Sequence, residues 1–289
     1  MSEQLNGVTA VSRKVKTSGD MVGQGSQFMG LYSRELLKTF RNPLVILITV
    51  VQPFMWLAFF GSSFSNVSLG TVHLLLCNGG QDLVCDANLK SYTQFLLPGV
   101  LSTSMLAVGM FGSMSTIQDK RFGFMKRILI TPTSKATVYL AKTLGSATRG
   151  LVQIPVMIIA ALAFGVTIQG NPLQWAGWCL ALFFLGFGMC CMFLAVTASS
   201  TDWQTPGVIS NFITMPLMFA STSLFPQANF PTWMQVISNW NPVSYSALFG
   251  RGVVVYGNPN WMYLGYLALF AALMVTIGTL VASRYLKAE

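Results

Sequence analysis

The sequence predicts an all-α polytopic membrane protein with six transmembrane helices, an N-terminal amphipathic interfacial helix and an outer re-entrant helical segment. Three observations carry the prediction. Of the 289 residues, 53% are hydrophobic and 9% charged, with a mean hydropathy of +0.59, whereas soluble domains carry roughly a quarter charged residues. Long apolar runs recur, each able to cross ~30 Å of hydrocarbon as a helix. The cations sit in short segments flanking those runs, the distribution described by the positive-inside rule. A soluble enzyme, a disordered chain and a fibrous repeat are excluded on this arithmetic. The net charge of +9 therefore points to membrane lipids as partners and not to nucleic acid.

Residues 1–26 are polar, hold Arg13, Lys14 and Lys16, and contain no apolar core ahead of a small-residue cleavage site. A cytoplasmic tail is expected there, not a cleaved signal peptide. Residues 27–289 read as one transmembrane domain. At its start, 27–42, Phe28, Met29, Tyr32, Leu36 and Phe40 project to one side at 100° per residue, and Arg34, Lys38 and Arg41 to the other. Such a helix lies in the inner interface, apolar side against acyl chains and cations among head groups; the alternative is a solvated helix docked on a soluble partner. Asn42-Pro43 breaks it and starts the first span.

The spans are expected at about 43–62, 95–117, 137–166, 174–198, 206–225 and 260–283. An even number puts both termini on one side. The N-terminal 42 residues, the 119–135 loop and the C-terminal tail together hold thirteen Lys/Arg, against Lys90 and Arg251 on the opposite side, so both termini are expected to be cytoplasmic and the protein in the cell membrane. Trp175, Trp178, Trp233, Trp240 and Trp261 gather near the outer boundary and Trp203 at the inner one. Segment 226–250 is apolar and aromatic but interrupted by Pro226, Pro231 and Pro242. It reads either as a helical hairpin dipping into the outer leaflet, where protein or water satisfies the broken backbone, or as an ordinary interfacial loop helix.

The chemistry-bearing residues are sparse. One histidine, His73, and eight scattered acids give no convergent catalytic set and no credible metal-ligand spacing. Asp119 beside Lys120 and Arg121 is either a helix-end charge or a functional one. Cys179, Cys190 and Cys191 fall inside the fourth span as small packing residues, while Cys77 and Cys85 share an outer loop, where a disulfide is possible if the loop turns back. Arg149 is read as the one charge well within an apolar run. The third run, about 30 residues or ~45 Å of helix, is long enough to place Arg149 near the inner boundary. There it snorkels or, with Gln153 one turn on, lines a polar seam or a substrate pathway.

No G-x-x-x-x-G-K-[ST] phosphate loop occurs, so the chain is not expected to hydrolyse ATP. No carboxylate is expected in the middle of a span, as a proton-coupled carrier would require. A separate ATPase is then the expected energy source, touching the inner loop, where Phe122, Phe124 and Met125 stand among cations ahead of Pro132. The competing class is an ATP-independent channel or secondary carrier.

Two blocks carry a resemblance. Asp119-Lys120-Arg121-Phe122-Gly123-Phe124-Met125-Lys126-Arg127, followed by Thr131-Pro132-Thr133-Ser134-Lys135 and Lys142-Thr143-Leu144-Gly145, resembles the signature of type-2 ABC transporter permeases, especially the daunorubicin-exporter-like branch. Phe225-Pro226, Pro231-Thr232-Trp233, Asn241-Pro242-Val243-Ser244-Tyr245 and Arg251 are similar to that family's outer re-entrant segment. The resemblance covers nearly the whole chain. It implies a permease domain in which 27–42 is a connecting helix and 119–135 a coupling loop engaging a cytoplasmic ABC ATPase through Asp119, Arg121, Phe122, Gly123, Phe124, Met125, Lys126 and Arg127. It also implies an outer gate at 226–250 containing Pro231, Trp233, Asn241, Pro242, Tyr245 and Arg251. The resemblance implies, further, a second permease copy completing the assembly as a homodimer, no cofactor on this chain, ATP and Mg on the partner, and a drug-like, lipid or polysaccharide solute as cargo. Leu248 stands where many relatives carry an acid, which leaves Arg251 without that partner.

Overall fold

The computed structural model describes residues 25–41, 43–65, 92–123, 134–166, 170–197, 204–227 and 230–285. His73, Cys77, Cys85, Phe124, Met125, Lys126, Arg127 and Trp203 lie outside the described residues. What is described is helical: α1 at 25–40, α2 at Pro43–Ser65, α3 at Tyr92–Arg121, α4 at Lys135–Leu151, α5 at Gln153–Ala163 and α6 at Pro172–Thr197. Then come α7 at Gln204–Phe219, α8 at Thr232–Trp240, α9 at Pro242–Arg251 with a π-helical turn Gly252–Tyr256, and α10 at Met262–Tyr285.

Four stretches are long and apolar enough to cross a membrane: Tyr92–Asp119, Lys135–Ala163, Pro172–Thr197 and Met262–Val281. Ile46–Gly61 and Gly207–Phe219 are shorter apolar helices. The third stretch differs from the continuous run expected at 137–166. Pro155 has no N–H for the Leu151 carbonyl and its ring crowds that turn; the chain tightens there, Val152 N bonding Arg149 O at 3.2 Å, and α5 starts anew at Gln153. The fifth differs too. α7 stops at Phe219, after roughly 24 Å of rise, and 220–225 continue as turns.

The bundle is organised around α3, which packs against α2, α4, α6, α7 and α9, while α10 lies along α6. Its core holds Phe95, Leu96, Leu101 and Met105 of α3 against Trp178, Leu182 and Phe193 of α6 and Phe249 of α9. Lipid tails are as apolar as leucine, so helices in a membrane are held by close packing and interhelical hydrogen bonds. Small residues supply that closeness here: a Cβ on Gly188 would stand 2.6 Å from the Phe270 ring of α10. Met262, Leu269, Leu273, Ile277 and Leu280 of α10 and Ile159 and Leu162 of α5 form outward apolar faces. The tryptophans divide. Trp233, Trp240 and Trp261 are exposed, but Trp178 is fully buried and edge-on to Trp175 at 5.3 Å, a core residue and not part of an interfacial belt.

Candidate functional site

Polar side chains converge at the two opposite ends of α3. At its C-terminal end, Phe122 N bonds Gln118 O at 3.0 Å and Gly123 takes a φ of +69°, a left-handed conformation that stops the helix without steric penalty. The chain is described again at Ser134, whose Oγ accepts from Thr137 N at 3.1 Å and caps α4. On the α3 flank of this loop stands Asp119; on the other, two turns into α4, stands Lys142, 4% exposed. Lys142 Nζ donates to Asp119 Oδ2 and lies 3.5 Å from Glu35 Oε1 of α1. Lys38 Nζ lies 3.4 Å from Asp119 Oδ1 and donates to Ser115 Oγ at 2.9 Å. Arg34 reaches both acids, Glu35 at 3.4 Å and Asp119 at 3.7 Å.

The seat for Glu35 is Gly145, where a Cβ would come within 2.8 Å of the Glu35 Cβ. Tyr32 adds a hydrogen bond to Thr148 Oγ1 at 3.2 Å. The buried Lys142 pairs each gain on the order of 4 kcal/mol of gross Coulomb attraction at an effective dielectric of about 20, desolvation of the buried ions offsets most of it, and the more exposed Arg34 and Lys38 pairs contribute less. The cluster therefore fixes geometry more than it adds stability. It joins one element from before the first apolar helix to both flanks of the loop.

This arrangement corrects two expectations. α1 does not sort simply into an apolar lipid side and a cationic head-group side: Glu35 is buried against α4, Thr39 is buried, Met29 and Phe40 face outward, and Arg34 and Lys38 turn to Asp119. Arg41 is exposed. Arg149 is not the one charge within a run, because Lys142 is a second. Glu35 and Asp119 are buried beside that lysine, on α1 and at the end of α3 and not in the middle of a span. Sequence reading missed Glu35, and it named Lys142 only within the family signature, with no role. The signal available was a lysine flanked by the small residues Ala141, Gly145 and Ser146, a helix face too narrow to shield it unless it pairs.

Phe122, 84% exposed, projects from the end of α3. Arg121 closes the helix. Arg149 and Gln153 are not joined by a hydrogen bond among the described residues: Gln153 Nε2 points to Met105 Sδ at 3.8 Å, and Gln153 Oε1 and Arg149 Nε have no partner there.

At the other end of α3, α8 and α9 meet at Asn241-Pro242. Pro242 at the first helical position of α9 has no N–H to satisfy. The Asn241 side chain caps two helices at once, its Oδ1 accepting from Val243 N at 3.0 Å while its Nδ2 donates to Leu217 O at 2.7 Å and Ala220 O at 3.2 Å at the end of α7. Arg251, 4% exposed, donates from Nε to Phe95 O at 3.2 Å and from an Nη to Thr222 O and Ser223 O, and its guanidinium lies 3.6 Å from the Phe95 ring centroid. Its partners are carbonyls, so the acid replaced by Leu248 is not needed to satisfy it. Gly99 of α3 meets the Ser223 carbonyl so closely that any Cβ would overlap it. Tyr245 donates to Asn239 O and stacks on Tyr263 and Tyr266. Pro231 opens α8 by accepting from Met234 N and Gln235 N, and Trp233, Val236, Ile237 and Trp240 form its exposed side.

The family model for the ABC-2 type transporter matches residues 26–252, which takes in both constellations. The chain is 25% identical over 280 residues to the putative transport permease ycf38 of Porphyra purpurea, covering 90% of this chain and 88% of that one. It is 24% identical over 188 residues to the daunorubicin resistance ABC transporter permease protein DrrB1 of Streptomyces coeruleorubidus, covering 65% and 66%. It is 22% identical over 258 residues to the probable doxorubicin resistance ABC transporter permease protein DrrC of Mycobacterium tuberculosis, covering 89% and 87%.

Proposed function

The chain belongs to the ABC-2 type transporter family, a membrane permease subunit without ATPase activity of its own, and from that premise we propose that it forms a homodimer exporting a drug-like, lipid or polysaccharide solute across the cell membrane. A separate cytoplasmic ABC ATPase, carrying the ATP and Mg, drives it. In this reading α2, α3, α4 with α5, α6, α7 and α10 are the six crossings, both termini are cytoplasmic, and the ion cluster lies at the cytoplasmic end. The α8–α9 pair is then the outer re-entrant gate.

The observation that carries the reading is the closed base of the loop. Asp119 and Lys142 bracket it and are paired in the interior, and Phe122 stands out beside them with its ring uncovered. A partner gripping that ring pushes on a loop whose base is held together, so displacement passes into α3 and α4 and is not absorbed by the loop splaying. The dimer is supported by Asn211, exposed in the middle of the apolar helix α7 next to Phe212. An amide at that depth is unfavourable against lipid and favourable against another polar surface. Relatives named for daunorubicin and doxorubicin resistance support an amphipathic, drug-like cargo. The test is co-reconstitution with the ATPase in liposomes and a solute screen for stimulated hydrolysis. Stimulation that requires this chain supports the reading; solute flux in vesicles without any ATPase contradicts it.

A further inference from the structure

We infer that Lys142 is the positioning residue that makes α1 part of the moving lever, so that a push on the inner loop is delivered to α1 and, through the Arg41–Pro43 link, to the first apolar helix. This rests on the proposed ATP-driven reading and deepens it. The loop's two flanks already have a mechanical connection to each other through α3–α4 packing. α1 precedes them by some eighty residues of chain, and α2 itself packs on α3 and α5. The contacts seating α1 include Tyr32 on Thr148, Lys38 on Ser115 and Asp119, Arg34 on Asp119, Leu31 on the Val138 and Tyr139 cluster, and the Glu35 carboxylate on Lys142. Of the three cations in the cluster, Arg34 and Lys38 have side chains 35% and 40% exposed, where water and salt weaken their pairs. Lys142 is buried and touches an acid on each side, Asp119 of α3 and Glu35 of α1, from its own place on α4. One ammonium thus joins three elements.

A buried ion of this kind contributes little net stability compared with an apolar side chain of its size. What it supplies is a direction-specific tie. Separating α1 from α4 leaves the Glu35 carboxylate at a protein surface without its buried counter-charge, so the two elements move together. The tie also sits behind the docking surface and not in it, which separates its effect from that of Phe122.

The experiment uses the full chain with its ATPase, with the native cysteines replaced and spin labels on one copy per complex at Met29→Cys of α1 and Ile277→Cys of α10, both outward-facing. Distances are measured without nucleotide and with MgATP plus vanadate. The parent is expected to change its distance distribution on trapping. Lys142→Met is expected to hold the ATPase subunit yet show less than a third of the parent's shift, and Lys142→Arg to restore most of it. The triple variant Glu35→Gln, Asp119→Asn, Lys142→Met removes all the buried charges of the cluster together, which preserves folding if the single change does not, and it too is expected to lose the shift. A parent-sized shift in the folded triple variant, or loss of ATPase binding in Lys142→Met, overturns the proposal. A parent that transports with ATP but shows no α1 displacement overturns the lever and leaves the ATP-driven reading standing. No ATP dependence of transport in the parent overturns the reading itself.

Discussion

Replacing Arg251 by methionine tests whether the hairpin end of the bundle is held by one side chain. In the parent, the guanidinium satisfies the carbonyls of Thr222 and Ser223 in the turn after α7 and reaches back to Phe95 of α3. The Phe95 carbonyl lies within the helical ladder of α3, so the substitution chiefly orphans the two turn carbonyls. A buried acceptor left unsatisfied costs about 1–3 kcal/mol, and loss of the stacking on Phe95 adds up to ~2 kcal/mol at a desolvated site. Against this, methionine removes the desolvation of a buried cation that has no carboxylate partner. The net expectation is a loss of about 3 kcal/mol, or roughly 100-fold in the folding equilibrium. Unfolding by SDS in mixed micelles, followed by tryptophan fluorescence, reads this directly. Arg251→Lys is expected to fall between parent and methionine, because an ammonium is a point donor and cannot span carbonyls on both sides as the planar fork does. If Arg251→Met unfolds within 0.5 kcal/mol of the parent, the turn carbonyls have other partners and the clamp is not the organising contact.

Other changes separate the two ends. Asn241→Ala removes caps from α7 and α9 together and is expected to cost about 2 kcal/mol in the same unfolding assay, the upper part of the range for a single cap, with no effect on ATPase association. Gly145→Val places a branched side chain where Glu35 sits; proteolysis between α1 and α2 is expected to accelerate at least tenfold as α1 lifts off, while parent-like cleavage would show that α1 is seated elsewhere. Phe124→Asp, together with Phe122→Asp on the exposed ring, puts a charge into the expected docking face. Co-purification of the ATPase is expected to fall at least tenfold with membrane insertion unchanged, and intact co-purification would remove the loop from the contact.

Much of the helical layout was legible from the chain, because an apolar run of twenty or more residues has few alternatives to a helix in lipid. The Asn241-Pro242 break was legible for a similar reason: an Asx cap followed by proline at the first helical position is a local signal that needs no tertiary context. The break at Val152 was also written in the sequence, since Pro155 disturbs the turn that precedes it, but the hydrophobicity of the whole run masks it. The burial of Glu35 was not legible. Helical periodicity separates apolar from charged positions within one segment, and it has no access to a lysine 107 positions further on that turns a charged position inward. Trp178 illustrates the same limit, because a tryptophan near a helix end sits at an interface by default and in the core only where a facing glycine, here Gly250, leaves room. The two blocks that resembled a permease family lie in the region that the family model spans, and they identify the protein more sharply than its folding pattern does.

Photo-crosslinking from position 122 in native membranes addresses the central claim most directly. With a benzophenone amino acid in place of Phe122, the account predicts an adduct with a cytoplasmic ABC ATPase that disappears when that subunit is deleted. Adducts confined to lipid, or labelling of the same position by an impermeant reagent added outside intact cells, would contradict it.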